Sequence, residues 1–197
     1  MLVQRLSRVS DLAEIQRLAV SSPAVISALP DDPALLVEIL ELSEASMTGE
    51  IGFSGEERYF FVIEDVTSGR LVGCSSVIAS AGFSEPFYTF RNEMFVHASR
   101  QLGLHNRMHV LSLCHDLTGH SLLSGFYLES DYQHAEAVAL NARGRLLFMA
   151  SHPQRFAEST SVELVGVSDD EGNAPFWDAV GRHFFAVSYS EAEKIGN

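Results

Sequence analysis

The sequence predicts an α/β layered fold in one domain spanning residues 1–197, and three observations carry that expectation. The elements run strand, two helices, several antiparallel strands, helix, strand, helix, a layered pattern rather than the regular alternation of a doubly wound sheet. Two continuous apolar runs, Tyr59 to Ile63 and Leu71 to Ile78, flank Thr67-Ser68-Gly69 and read as a hairpin of buried strands at the sheet's centre. A further run, Leu123 to Leu128, passes through a polar junction into the strongest later helix.

Leu2 to Leu6 is a short strand. The helix after it places Leu12, Ile15, Leu18 and Ala19 on one face, has Asp11 and Glu14 at capping-box spacing, and ends near Ser21, ahead of Pro23. Asp32 before Pro33 is an N-cap with a first-turn proline, and Leu35, Leu36, Ile39 and Leu40 form the stripe of a second helix that exits at Gly49 and Gly52. After Gly82 come three strand-length runs, Met94 to Ala98, Met108 to Cys114 and Leu123 to Leu128, each bounded by polar residues or glycine. In the middle run His109, Leu111, Leu113 and His115 alternate onto one face. Ala135 to Ala150 is helical although Gly144 costs about 1 kcal/mol relative to alanine. Ser161 to Val167 alternates as a strand, and Asn173 and Pro175 open a helix whose Phe176 and Trp177 read as packing residues.

Composition narrows the class. Hydrophobic residues make up 46% and charged residues 20% of the chain, and no apolar run reaches the ~20 residues that span a bilayer. The start, MLVQRLSRVSDL, lacks the apolar core of a secretory signal, so a cytoplasmic protein is expected. Cys74 and Cys114 lie in separate apolar runs and read as buried free thiols. A net charge of −13 argues against nucleic-acid or anionic-membrane partners and is compatible either with a cationic small substrate or with acidity that only maintains solubility.

Residues 83–131 crowd His97, His105, His109, His115 and His120 together in sequence, yet their spacing lacks any metal motif such as HEXXH, and no metal site is expected. Phosphate-loop and GXSXG nucleophile motifs are missing too. One arrangement does suit a mechanism: Leu123 to Leu128 leads through Glu129-Ser130-Asp131-Tyr132-Gln133-His134 into a helix, whose N-terminal amides would face a ligand's phosphates.

The words FVHASRQLGLHN, LSLCHDLTGHSLL, GRLLFMASHPQRF and APFWDAVGRHFF, with SALPDDPALL near the start, resemble the arginine N-succinyltransferase family in its alpha-subunit form, over essentially the whole chain. The resemblance implies a GNAT-like acyl-CoA N-acyltransferase fold, a mixed, mostly antiparallel central sheet flanked by helices. It implies transfer of succinyl from succinyl-CoA, a co-substrate rather than a bound cofactor, to the α-amino group of L-arginine. It also implies a beta-subunit partner or self-association. Family members continue beyond Asn197 and carry their proton-donor histidine there, so the family's C-terminal portion is absent and no residue here takes that role. A noncatalytic structural or regulatory subunit is the alternative.

Within this frame Phe126 matches the family's succinyl-CoA contact. The superfamily's pyrophosphate loop asks for Gln or Arg, then small residues three and five positions later. Counting from Gln133 puts Glu136 and Val138 there; counting from His134 puts Ala137 and Ala139 there, and both registers stay open. Aminolysis of a thioester needs a base, oxyanion donors and an acid for the thiolate. His115 and Asp116 offer either a base with its orienter or a turn. Arg91 offers either a carboxylate fork for substrate or an ion pair with Glu85 or Glu93. His97 is either a substrate contact or a satisfied histidine.

Overall fold

The structure is a computed structural model that describes residues 1–22, 29–30, 32–49, 54–164, 166–169, 173–189 and 191–192. Pro23 and Gly52, two of the expected helix-ending residues, lie outside them.

Strands β1 (Leu2–Leu6), β2 (Arg58–Asp65) and β3 (Arg70–Ile78) form an antiparallel meander, interrupted between the first two by helices α1 (Leu12–Ser21) and α2 (Pro33–Thr48). A second, separate sheet follows: β4 (Thr89–Ser99) and β5 (Leu104–Cys114) pair only with each other. Then β6 (Ser121–Leu128) returns beside β3, helix α3 (Ala135–Ser151) crosses the sheet, and β7 (Thr160–Val162) runs parallel to β6. The main sheet has the order β1-β2-β3-β6-β7. Among the described residues the only parallel pair in it is the one joined through a helix, as a parallel connection requires. This is the mixed, mostly antiparallel sheet flanked by helices that the GNAT-like resemblance implies.

Burial explains the layering. Tyr59 to Ile63 and Leu71 to Val77 are continuously buried because helices cover both faces. On one face Ile15, Leu18, Leu36 and Leu40 of the first two helices pack on Phe60, Val62, Cys74 and Tyr127. On the other, Tyr59, Phe61, Val77 and Leu123 meet Phe148 and Phe156, while Ile63, Val72 and Leu128 meet Ala137. Each large apolar side chain so buried contributes roughly 1.5–3 kcal/mol.

Asp32 caps α2 as its sequence suggests, accepting from the Ala34 amide at 2.8 Å. The Asp11-Glu14 capping box does not form. A short 3-10 turn at Val9–Asp11 precedes α1, and the Asp11 carboxylate instead accepts from the Arg8 amide and from the Arg5 guanidinium at 2.7 Å. A charged fork outcompetes a neutral amide for that carboxylate. The last expected helix forms over residues 175–185 and is π-helical in its middle, Trp177–Gly181 followed by Arg182–Phe185, and Trp177 stacks on Phe185. Of the expected strand Ser161 to Val167, Ser161 and Val162 belong to β7, Glu163, Leu164, Gly166 and Val167 are in no strand, and Val165 lies outside the described residues.

The largest departure concerns Met94 to Ala98 and Met108 to Cys114. They are parts of two 11-residue strands that leave the main sheet as a hairpin arm about 36 Å long, at ~3.3 Å per residue. Phe90, Met94, Phe95, Val96, Leu104 and Leu111 are among the apolar residues exposed on it. Cys114, expected buried, is half-buried at the arm's base, 3.3 Å from the Thr89 hydroxyl, whereas Cys74 is buried and its thiol pushed up to about 12 by that burial. Among the described residues no helix is long and apolar enough to cross a membrane.

Candidate active site

The site begins with a fault in the sheet. The register between β3 and β6 shifts between Cys74 and Ser76, so that Gly125 and Phe126 together oppose Ser75, and Gly125 takes φ 61°. Glycine tolerates this left-handed backbone, which defines a bulge that bends the strand. Beyond it β6 parts from β7: the two pair only from Ser121 to Leu123, and the last link is the Glu163 amide donating to the Leu123 carbonyl at 2.9 Å. From Gly125 to Leu128 the outer edge of β6 has no strand beside it among the described residues.

Helix α3 supports the bulge. Asn141, fully buried, donates to the Cys74 and Tyr127 carbonyls at 3.0 and 3.2 Å and accepts from the Ser75 hydroxyl at 2.6 Å and the Gln4 amide at 3.2 Å. One turn later Arg145 donates to the Ser76 and Ser124 carbonyls at 3.3 and 3.1 Å, with its guanidinium 5.6 Å from the Phe126 ring centre. Phe126 therefore faces α3, and only its backbone is turned toward the parted strands.

On the opposite face, beneath α2, lies a cleft of about 390 Å³. Leu35, Ile39, Leu42, Ile78, Phe87 and Leu122 make it apolar, and Glu38, Arg58, Ser124 and Glu163 bring polar groups to it. Arg58 opens β2 and is half-buried; burial lowers its pKa, and among the described residues its guanidinium makes no hydrogen bond or ion pair. The Ser124 hydroxyl and that of its cross-strand neighbour Ser76 are buried without hydrogen-bond partners there. One residue past the last β6–β7 pair, Glu163 stands beside Ser124 at the open rim, and surrounding protein raises its carboxyl above the ordinary value.

At the start of α3, His134 is the N-cap, its ring nitrogen accepting from the Ala137 amide at 3.4 Å. Ala137 is fully buried against the sheet, whereas Glu136 and Val138 are exposed. Gln133 turns back and donates to the Leu128 carbonyl at 3.0 Å. The Glu136 carboxylate folds onto its own backbone amide and lies 3.1 Å from the His134 ring, and these contacts lower its pKa. It thus occupies with its own charge one of the amides that would face a phosphate. If the register counted from Gln133 holds a CoA pyrophosphate, Glu136→Gly should strengthen CoA binding severalfold by calorimetry; equal affinity would count against that register.

Phe126, Gln133 and His134 thus gather where β6 ends and α3 begins. Arg91, His115 and Asp116 gather at the base of the arm, where Arg91 forms ion pairs with Asp116 and with Glu93 at 3.1 Å. Asp116 is therefore held by Arg91 rather than orienting His115, whose ring lies 4.9 Å from that of Tyr88, next in sequence to the cleft residue Phe87. His97 pairs with Asn106 near the arm's tip, apart from both groups. Among the described residues no three His, Cys, Asp or Glu side chains converge as a metal site. Sequence reasoning passed over Arg58, Ser124 and Glu163. The available signal was a charge opening an apolar strand, Arg58 before Tyr59 to Ile63, and an acid closing a short one, Glu163 after Val162.

A family model described as arginine N-succinyltransferase beta subunit matches residues 2–197. Arginine N-succinyltransferase subunit alpha of Pseudomonas aeruginosa is 59% identical over 195 residues, covering 99% of this chain and 58% of the relative. The subunit beta of the same organism is 35% identical over 186 residues, 94% of this chain and 54% of the relative. The solved structure of arginine/ornithine succinyltransferase subunit AI from Pseudomonas aeruginosa superposes with a TM-score of 0.93 at 59% identity, covering 100% of this chain and 59% of that one. The chain thus spans rather more than half the length of these relatives, and it resembles the alpha subunit more than the beta. With a family model matching nearly every residue, the chain belongs to the arginine N-succinyltransferase family.

Proposed function

We propose that this chain is the N-terminal acyl-CoA domain of an arginine N-succinyltransferase subunit, moving succinyl from succinyl-CoA to the α-amino group of L-arginine. The observation that carries the reading is the parting of β6 from β7 at the Gly125 bulge, with a polar-floored cleft directly beside it. An extended thioester arm entering there finds the unpaired edge of β6, whose backbone near Phe126 supplies donors to the tetrahedral oxyanion. Gln133 and His134 frame the phosphate end. The neutral amine attacks the thioester carbon, the C–S bond breaks, and the amine's proton must be taken up. Glu163 suits that uptake better than His115 with Asp116: its raised carboxyl lies at the cleft, while Asp116 is spent on Arg91.

The exposed apolar residues of the hairpin arm favour association with a beta subunit or a second copy. A noncatalytic role beside a catalytic beta subunit is the second reading, favoured by the Glu136 carboxylate at the phosphate end. Succinyl-CoA titrated by calorimetry, followed by thiol release with L-arginine, separates these readings when run on the chain alone and on its mixture with the beta subunit. Heat and turnover from the chain alone exclude the noncatalytic role. Turnover only in the mixture, with no heat from the chain alone, excludes the self-sufficient enzyme, and neither signal in either sample overturns the acyl-transfer reading.

A further inference from the structure

We propose that Arg58 is a carboxylate-binding residue at the floor of the α2-side cleft, gripping the free carboxylate of a substrate with the Ser124 hydroxyl beside it. The assignment rests on the acyl-transfer reading for the identity of that substrate, and on the cleft's own chemistry for the carboxylate.

Arg58 differs from the other enclosed arginines. Arg145 and Arg155 are buried and both are hydrogen-bonded to backbone carbonyls, and the half-buried Arg5 and Arg17 both hold carboxylates. Arg58 alone of these five has no such partner among the described residues, although its surroundings are apolar on several sides. An enclosed cation is costly unless it is paired, so a site that keeps one unpaired is prepared for an anion from outside. The guanidinium fork matches a carboxylate with two parallel hydrogen bonds, and the low-polarity walls formed by Leu35, Ile39 and Leu122 strengthen that pair.

The rest of the cleft fits the same ligand. Arg58 lies opposite Ile78 on β3, and Ile78 opposite Leu122 on β6, so two strand spacings of ~4.8 Å separate Arg58 from the strand that carries the bulge. Ser76 and Ser124 fill the next row with hydroxyls that have no partner. The Ser124 hydroxyl, which lines the cleft, can turn its proton toward an anion, which removes the cost of leaving it unsatisfied. Glu38 and Glu163 line the same cleft without pairing to Arg58, so its charge is divided: a cationic floor and acidic flanks. Such a division suits a small molecule with a carboxylate at one end and a cationic group at the other, or a dicarboxylic acyl chain meeting a cationic acceptor.

That carboxylate has two sources, the distal end of a succinyl group or the α-carboxylate of an amino acid. Affinities of the wild-type chain, Arg58→Gln and Arg58→Lys are measured by calorimetry for succinate, succinyl-CoA, butyryl-CoA, L-arginine and agmatine. Removing an unpaired enclosed charge should leave Tm unchanged or higher, which checks that the variants fold. The expected result is at least a tenfold loss in Arg58→Gln for the carboxylate-bearing member of one pair, little change for its carboxylate-free analogue, and partial recovery in Arg58→Lys. Loss confined to succinyl-CoA against butyryl-CoA assigns the acyl end; loss confined to L-arginine against agmatine assigns the acceptor. Equal affinities of wild type and Arg58→Gln for every carboxylate ligand overturn the proposal, as does a wild type that binds none of them. Wild-type binding of succinate that Arg58→Gln abolishes, without binding of any CoA ester, upholds the carboxylate site and overturns the acyl-transfer reading.

Discussion

Asn141→Leu is expected to destabilise the protein by about 3 kcal/mol or more, since each buried group left unpaired costs roughly 1–3 kcal/mol. The substitution keeps the volume but orphans the Cys74 and Tyr127 carbonyls and the Ser75 hydroxyl at once. At about 2–4 °C per kcal/mol for a domain of this size, Tm should fall by roughly 6–12 °C. Urea unfolding gives the energy and a thermal scan the shift. Leu147→Ala on the same helix is the control: the side chain is 68% exposed, and a change within about 0.5 kcal/mol is expected. A loss below about 1 kcal/mol for Asn141→Leu would mean that the bulge does not depend on this side chain.

Gly125→Val should have the larger functional effect. A β-branched residue resists φ 61°, at a cost of at least about 1–2 kcal/mol, so the strand relaxes by moving or losing the bulge. A one-residue slip exchanges the faces of Phe126 and Tyr127, sending Phe126 away from Arg145 and re-pairing the β6 edge to which the proposed function assigns the thioester. Acyl-CoA affinity should fall at least tenfold, with Gly125→Asn, which tolerates left-handed backbone, falling much less. Affinity in Gly125→Val equal to wild type would remove the bulge from the binding reading.

The two central strands, both long early helices and α3 were legible because their signals are local: unbroken apolar runs, Asp32 before Pro33, and a stripe at helical spacing. The hairpin arm was not. Met94 to Ala98 and Met108 to Cys114 have strand character, but whether a strand joins the main sheet or leaves it depends on partners distant in sequence. The candidate site divides along the same line. Gln133 and His134 lie at a strand-to-helix junction that the sequence marks locally, and the family resemblance pointed to Phe126. Arg58, Ser124 and Glu163 come from three strands, and each alone reads as an ordinary polar residue at or in a strand.

By itself the sequence determined the layered class and the strand-to-helix junction between β6 and α3, because composition, caps and periodicity act over a few residues, and its long characteristic words carried the resemblance to the family. Tertiary structure alone decided three things. It made His134 the cap of α3, with Ala137 buried against the sheet and Glu136 and Val138 exposed. It bound Arg91 to Asp116 and Glu93, which sequence left free to choose between protein and substrate. And it left Arg58 enclosed without a partner among the described residues, a property that belongs to no residue until the strands and α2 close around it. Burial and pairing are set by contacts across the sheet, and those contacts have no spacing that a linear reading can count.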